Sequence, residues 1–182
     1  MSDTYQALVD PTAAPSNAKA RADQILRAFI AHGILSGKMS SDCLYDGVGY
    51  LPGPVFDTAL GICGVRFVTD KWINMWGFTV YEHSQCPECG CTFSNDSDFM
   101  GPLMDAVGNF YNLDEPSMLA CPQCQSSYEV QNWITEPHLG LCHLAIEFWN
   151  WPDFDRENWK LSIPQIASEA IGRPLITTWG RM

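Results

Sequence analysis

The chain is short of positive charge. Its 182 residues carry 10 Lys and Arg against 21 Asp and Glu, a formal net charge of −11. A field of that sign repels phosphate backbones and anionic lipid, so nucleic acid is disfavoured as a partner and a basic protein is favoured. Charge of either sign is scarce at 17 % of residues, while 46 % are hydrophobic and 12 % aromatic. That balance excludes a chain disordered beyond its ends. There is no apolar run of about 18 residues, the length a spanning helix needs, so no membrane span is expected. The opening Met1-Ser2-Asp3-Thr4-Tyr5 has neither the basic nor the apolar region of a signal peptide, and the cytoplasm is the expected location. No Walker loop, dinucleotide fingerprint, His-Glu-x-x-His or Gly-x-Ser-x-Gly occurs, which removes the common nucleotide, metalloprotease and hydrolase signatures. Internal repeats and low-complexity segments are absent too.

Cysteine is not scarce. Eight are present, and without a secretion signal they point to reduced thiols and metal rather than a disulfide framework. Four fall in two Cys-x-x-Cys pairs, Cys86-Pro87-Glu88-Cys89 and Cys121-Pro122-Gln123-Cys124. Each pair can turn two thiolates toward one ion, and the Pro after the first Cys fixes φ in the turn. Cys86, Cys89, Cys121 and Cys124 thus make a complete tetrahedral set of four thiolates for one Zn2+. A closed set leaves no open position, so the ion would be structural. Iron in the same sulfur site would instead make an electron carrier. Thiol–disulfide exchange by one pair is a third reading, which the doubling of the motif opposes. His83 and Cys91 stand close enough in sequence to substitute as ligands, although the four paired Cys suffice. Cys43, Cys63 and Cys142 read as small buried residues.

The two knuckles resemble those of zinc ribbons and rubredoxin-like zinc domains, in which Cys-Pro-x-Cys-Gly turns supply the ligands. Cys86-Pro87-Glu88-Cys89-Gly90 has that form in full. The second knuckle departs from it, with Gln125 where Gly relieves a positive φ. The resemblance covers residues 84–126 and implies a zinc-ribbon insertion. It implies little about function.

Around the knuckles the expectation is α+β: one domain over 16–182 after a loose tail at 1–15, with an antiparallel sheet of four or five strands and two packed helices. The first helix is expected over 17–32, with Ser16 as cap, Ala22, Ile25, Leu26, Phe29 and Ile30 on one face, and Gly33 ending it. The second, 163–171, has the better-marked ends: a capping box in Ser162 and Gln165, Pro164 in the first turn, and Gly172 as stop. Residues 35–54, rich in Gly, Ser, Asp and Pro, read as an ordered loop. Strands are expected at 65–69, 74–82, 127–133 and 141–151, with a possible edge strand at 175–179. Strands 74–82 and 127–133 would pair, setting the knuckles side by side. The excursion between them, 92–120, carries a helix from Gly101 to Tyr111 with Leu103, Val107 and Phe110 on one face, and reads as packed.

No motif points to chemistry beyond the metal. Asn95-Asp96-Ser97-Asp98 lacks the Gly and terminal Glu of a calcium loop. Trp149, Trp151 and Trp159 beside Asp153, Asp155, Arg156 and Glu157 would suit an interface, but they read better as cover for the sheet. The favoured function is a small acidic zinc protein acting as a protein-interaction module, with zinc as its clamp. Neutralising a basic partner, as a toxin-immunity protein does, is one form of that reading. An enzyme with a site near His143, Glu147 and Asp153–Glu157 is the second reading. The third is a nucleic-acid-associated zinc ribbon, for which Lys19, Arg21 and Arg27 give only a modest cluster interrupted by Asp23.

Overall fold

The computed structural model describes residues 4–44, 47–56, 64–74, 81–113, 116–154 and 161–181, with side chains omitted at 43 and 44. Along the chain run β1 (Thr4–Val9), α1 (Pro15–Ala31), β2 (Leu35–Leu44), β3 (Gly47–Pro52), β4 (Val65–Val68), β5 (His83–Gln85), β6 (Thr92–Ser94), α2 (Met100–Asn112), β7 (Met118–Ala120), β8 (Ser127–Glu129), β9 (Ile134–Glu136), β10 (Ala145–Trp149), α3 (Ile163–Ile171) and β11 (Ile176–Arg181). The class is α+β, as expected. The main sheet has six strands rather than four or five, in the order β11-β1-β10-β4-β3-β2. Every pairing in it is antiparallel.

Period-two alternation gives this sheet two buried faces. Leu8, Val65, Ile146 and Phe148 pack with Ile25 and Phe29 of α1 and with Ile163, Ile166 and Ala167 of α3. Tyr5, Ala7, Val9, Ala145 and Trp149 form a second core with Trp72 and Cys142. Trp151 joins the helix-side core, its ring 5.2 Å from Phe148 and 4.6 Å from Phe56. Trp149 and Trp151 therefore cover the sheet, and Trp159 lies outside the described residues.

The helix ends follow the expected chemistry except at the start of α1, where Ser16 lies inside the helix and Ala14 stands at the cap position. Pro15 opens α1, and Asn17 Oδ1 accepts the Ala14 N–H at 3.1 Å. Gly33 follows the helix with φ +70. Ala22, Ile25 and Phe29 are buried, while Ile30 is 41 % exposed. In α3 the Gln165 N–H donates to Ser162 Oγ at 3.3 Å and Gly172 takes the left-handed conformation. The other half of the expected box is not made, because the Gln165 side chain donates to Glu169.

Three expectations are corrected. Residues 4–9 are not a loose tail but a strand buried between β10 and β11. Residues 35–54 are not a loop but largely the β2–β3 hairpin at the sheet edge. The segment 127–133 does not pair with the strand before the first knuckle: β8 pairs with β7 and passes into a 3-10 turn at Val130–Asn132. Residues 75–80 of the strand expected at 74–82 lie outside the described set.

The excursion and its flanks build a third core. Leu103, Ala106, Val107 and Phe110 of α2 pack with Phe99, Leu119, Val130, Trp133, Leu139 and Leu141, and Cys86 and Cys121 belong to the same cluster. This unit is sewn to the sheet's second face. Trp72 and Cys142 exchange backbone hydrogen bonds at 2.9 and 3.2 Å. Asn74 accepts from Tyr5 Oη at 2.8 Å and donates to Thr178 Oγ1 at 2.7 Å. Thr178 in turn donates to the His138 carbonyl at 3.1 Å.

Candidate metal centre

Each knuckle is the turn of its own hairpin. Cys86–Cys89 links β5 to β6, and Cys121–Cys124 links β7 to β8. Within each turn the backbone bonds repeat. The Gly90 N–H donates to the Cys86 carbonyl at 3.0 Å, and the Gln125 N–H to the Cys121 carbonyl at 2.9 Å. The Cys86 N–H reaches the Cys91 carbonyl, and the Cys121 N–H the Ser126 carbonyl, both at 2.9 Å.

The two turns interlock. Cys86 Sγ lies 3.8 Å from Cys124 Sγ, and Cys89 Sγ lies 3.7 Å from Cys121 Sγ. All four sulfurs fall within 4.8 Å of one another. A tetrahedron with metal–sulfur bonds of about 2.3 Å has edges of about 3.8 Å. A disulfide would need about 2.05 Å. The four cysteines could therefore hold one metal ion. Cys86 and Cys121 are buried, Cys89 is exposed and Cys124 half-buried, so the pocket is anchored in the module's core and faces outward on one side.

Local electrostatics fit a cation. Hydrogen bonds from the Ser126 backbone and then its hydroxyl pull the Cys124 thiol down to about 7. At Cys89 a backbone bond involving Cys91 also favours the thiolate, but desolvation and hydrogen bonds with the other three thiols raise it to about 12. Four thiols around one point cannot all ionise without a counter-charge, and a divalent ion supplies it. Tyr128 Oη donates to Glu88 Oε2 at 2.5 Å, tying β8 to the first knuckle.

No family model matches the chain, and no curated protein or solved structure matches it. The zinc-ribbon likeness of the knuckles is thus a likeness of two turns, with no family assignment behind it.

His83 and Cys91 are not part of the cluster. Cys142 is buried in the sheet's second core, its Sγ 3.2 Å from the Leu144 carbonyl, and burial pushes its thiol up to about 12. Cys63 and the Cys43 side chain lie outside the described set. The Asn95–Asp98 stretch is an exposed turn closed by its own hydrogen bonds, Ser97 Oγ donating to the Ser94 carbonyl at 2.6 Å.

Among the described residues, those weighed as an enzyme site do not share a cavity. His143 lines a cavity with Phe110, Asp70 and Glu129; Glu147 lines another beside α2; Asp153 lines a third with Trp179. Asp155–Glu157 lie outside the described residues. Burial pushes His143 down from the usual histidine range, helped by Lys71. Glu147 is 3 % exposed and accepts from Arg66 Nε at 2.7 Å, Trp72 Nε1 at 2.6 Å and Trp149 Nε1 at 3.1 Å. Three donors on one buried carboxylate describe a structural anchor. The basic face of α1 also shrinks, because Arg21 is held by buried Asp10 at 2.6 Å.

Sequence reasoning passed over the cleft beside α2, lined among others by Arg66, Lys71, Trp72 and Gly108. One signal was available: a glycine in the middle of an otherwise well-formed helix.

Proposed function

We propose that the chain is a binding protein whose four paired cysteines hold one zinc ion as a structural clamp. The carrying observation is the sulfur spacing of 3.7 and 3.8 Å across the two knuckles. Zinc is preferred over iron because a closed thiolate set needs no redox partner to stabilise a fold. The clamp joins two short hairpins of three residues per strand. The first hairpin gains a third strand in β9, whereas β7 and β8 form a two-stranded sheet. A two-stranded hairpin that short is unstable alone, so the ion ties the weaker hairpin to the stronger. The interaction role rests on the acid excess and on the dispersal of the candidate catalytic groups. A basic protein is the partner such a charge favours.

Elemental analysis and native mass of the purified protein test the clamp. One zinc per chain, retained until the thiols are blocked, is the expected result. Iron, or no metal with an intramolecular disulfide, would overturn it. Affinity capture from the native cells at low and high salt tests the partner: a stoichiometric basic protein released by salt is expected, and an acidic partner would refute the charge argument.

A further inference from the structure

A large cavity lies between α2 and the second face of the main sheet, with a volume of about 1000 Å3. That is the upper end of the range for small-molecule sites. Arg66 and Val68 of β4 line one side, Met104, Val107 and Tyr111 of α2 the other, and Trp72 lies between. Met104 is 42 % and Tyr111 57 % exposed at the rim, an adaptable thioether beside an aromatic ring.

Gly108 is the telling residue. It lies inside α2, lines the cleft, and a Cβ added to it would meet nothing within 4 Å. Close packing therefore does not require a glycine there. Its φ is not positive, so backbone conformation does not require one either. Glycine is among the worst residues for a helix interior. What the missing side chain leaves is space in the cleft.

The charges in the cleft select the occupant. Arg66 and Glu147 neutralise one another at 2.7 Å. Lys71 remains, with no carboxylate partner among the described residues. Its ammonium donates to the Leu113 carbonyl and stands 5.9 Å over the Phe110 ring. An ammonium has three protons, so two are left for a ligand. Asp70 and Glu129 line the adjoining cavity with Lys71 but make no ion pair with it among the described residues, and charges beyond about 8 Å are screened at physiological salt. We infer that the cleft binds a small organic acid with an apolar body, its carboxylate at Lys71 and its hydrocarbon along Met104, Val107 and Trp72 in the space that Gly108 leaves open.

Decanoate and the neutral 1-decanol, both below their aggregation limits, are the probes. The readouts are calorimetry and the 13C-methyl resonance of Met104 in the metal-loaded protein. Decanoate is expected to bind and to shift that resonance. Gly108→Phe should abolish binding while metal content and melting temperature hold or rise, and Gly108→Ala should bind as the parent does. Lys71→Gln should weaken decanoate about tenfold and leave decanol unchanged. Equal binding by Gly108→Phe, or no response of Met104 to decanoate, would overturn the site. Decanol binding as tightly as decanoate, with no effect of Lys71→Gln, would overturn the choice of an acid. Metal content is measured on every variant, so failure of the clamp and failure of the cleft give different results.

Discussion

Gly90 and Gln125 occupy equivalent places in the two knuckles. Each follows the second cysteine of its pair, with φ of +71 and +63, and each N–H closes the turn onto the first cysteine's carbonyl. Left-handed backbone suits glycine and costs other residues about 1–2 kcal/mol. Gln125 is partly compensated: its Nε2 donates to the Pro122 carbonyl at 2.8 Å.

That asymmetry gives unequal expectations for two variants. Gly90→Ala should lower stability by about 1 kcal/mol through strain. Gln125→Gly removes strain but also a hydrogen bond, and it loosens the unfolded chain, so it should change stability by less than about 0.5 kcal/mol. Urea unfolding of the metal-loaded protein checks both. A larger loss from Gln125→Gly would mean that the side-chain bond, not the backbone, decides the second turn.

Ligand assignment predicts a sharp division among the cysteines. Cys86→Ser and Cys124→Ser should each lose metal and at least about 3 kcal/mol, a fall in Tm of roughly 6–12 °C. Cys91→Ser and Cys142→Ser should retain full metal, because neither thiol belongs to the cluster. Metal analysis beside thermal melts decides it. Metal loss from Cys91→Ser would show that the wrong sulfurs were assigned.

Glu147 should behave as an anchor shared by three donors. Glu147→Gln places an amide N–H against groups that themselves donate, and should cost about 1–3 kcal/mol. Arg66→Met leaves a buried carboxylate held only by two indoles and should cost a similar amount, discounted because Arg66 is partly exposed. The double variant should lose less than the sum of the singles, since the pair is one unit. Additive losses in denaturant titrations would dissolve the link between the two residues.

What the sequence disclosed was whatever had a local cause. Ser162 and Gly172 mark α3 because caps and left-handed stops act within a turn of the helix. The Cys-x-x-Cys spacing marks the four-cysteine cluster because a knuckle is local. β1 was missed because its partners, Trp149 and Arg181, lie far along the chain and its neighbour Pro11 imitates a tail. The β2–β3 hairpin was missed because an edge hairpin with Met39 and Val48 exposed carries no clear alternation. The pairing of the knuckles was misjudged for a similar reason. Two short hairpins leave the same Cys spacing as one long one, and the long pairing forms a few residues further on, between β5 and β9.

His138 ties the folded state to pH. Its Nδ1 accepts the Gly140 N–H at 2.9 Å, which requires that nitrogen to be unprotonated, and burial pushes its pKa below the ordinary histidine value. The unfolded chain therefore binds this proton more readily than the folded one. Stability from this group is fully present above the unfolded value of about 6.5 and is lost as pH falls through the lower folded value. Urea midpoints measured between neutral and mildly acid pH should fall with pH, and His138→Gln should show a shallower fall over the same window. The carboxylates contribute to both proteins alike, so the difference between the two curves isolates the histidine. Parallel curves would mean that His138 keeps the same proton affinity in both states, and that the Gly140 bond does not hold its tautomer.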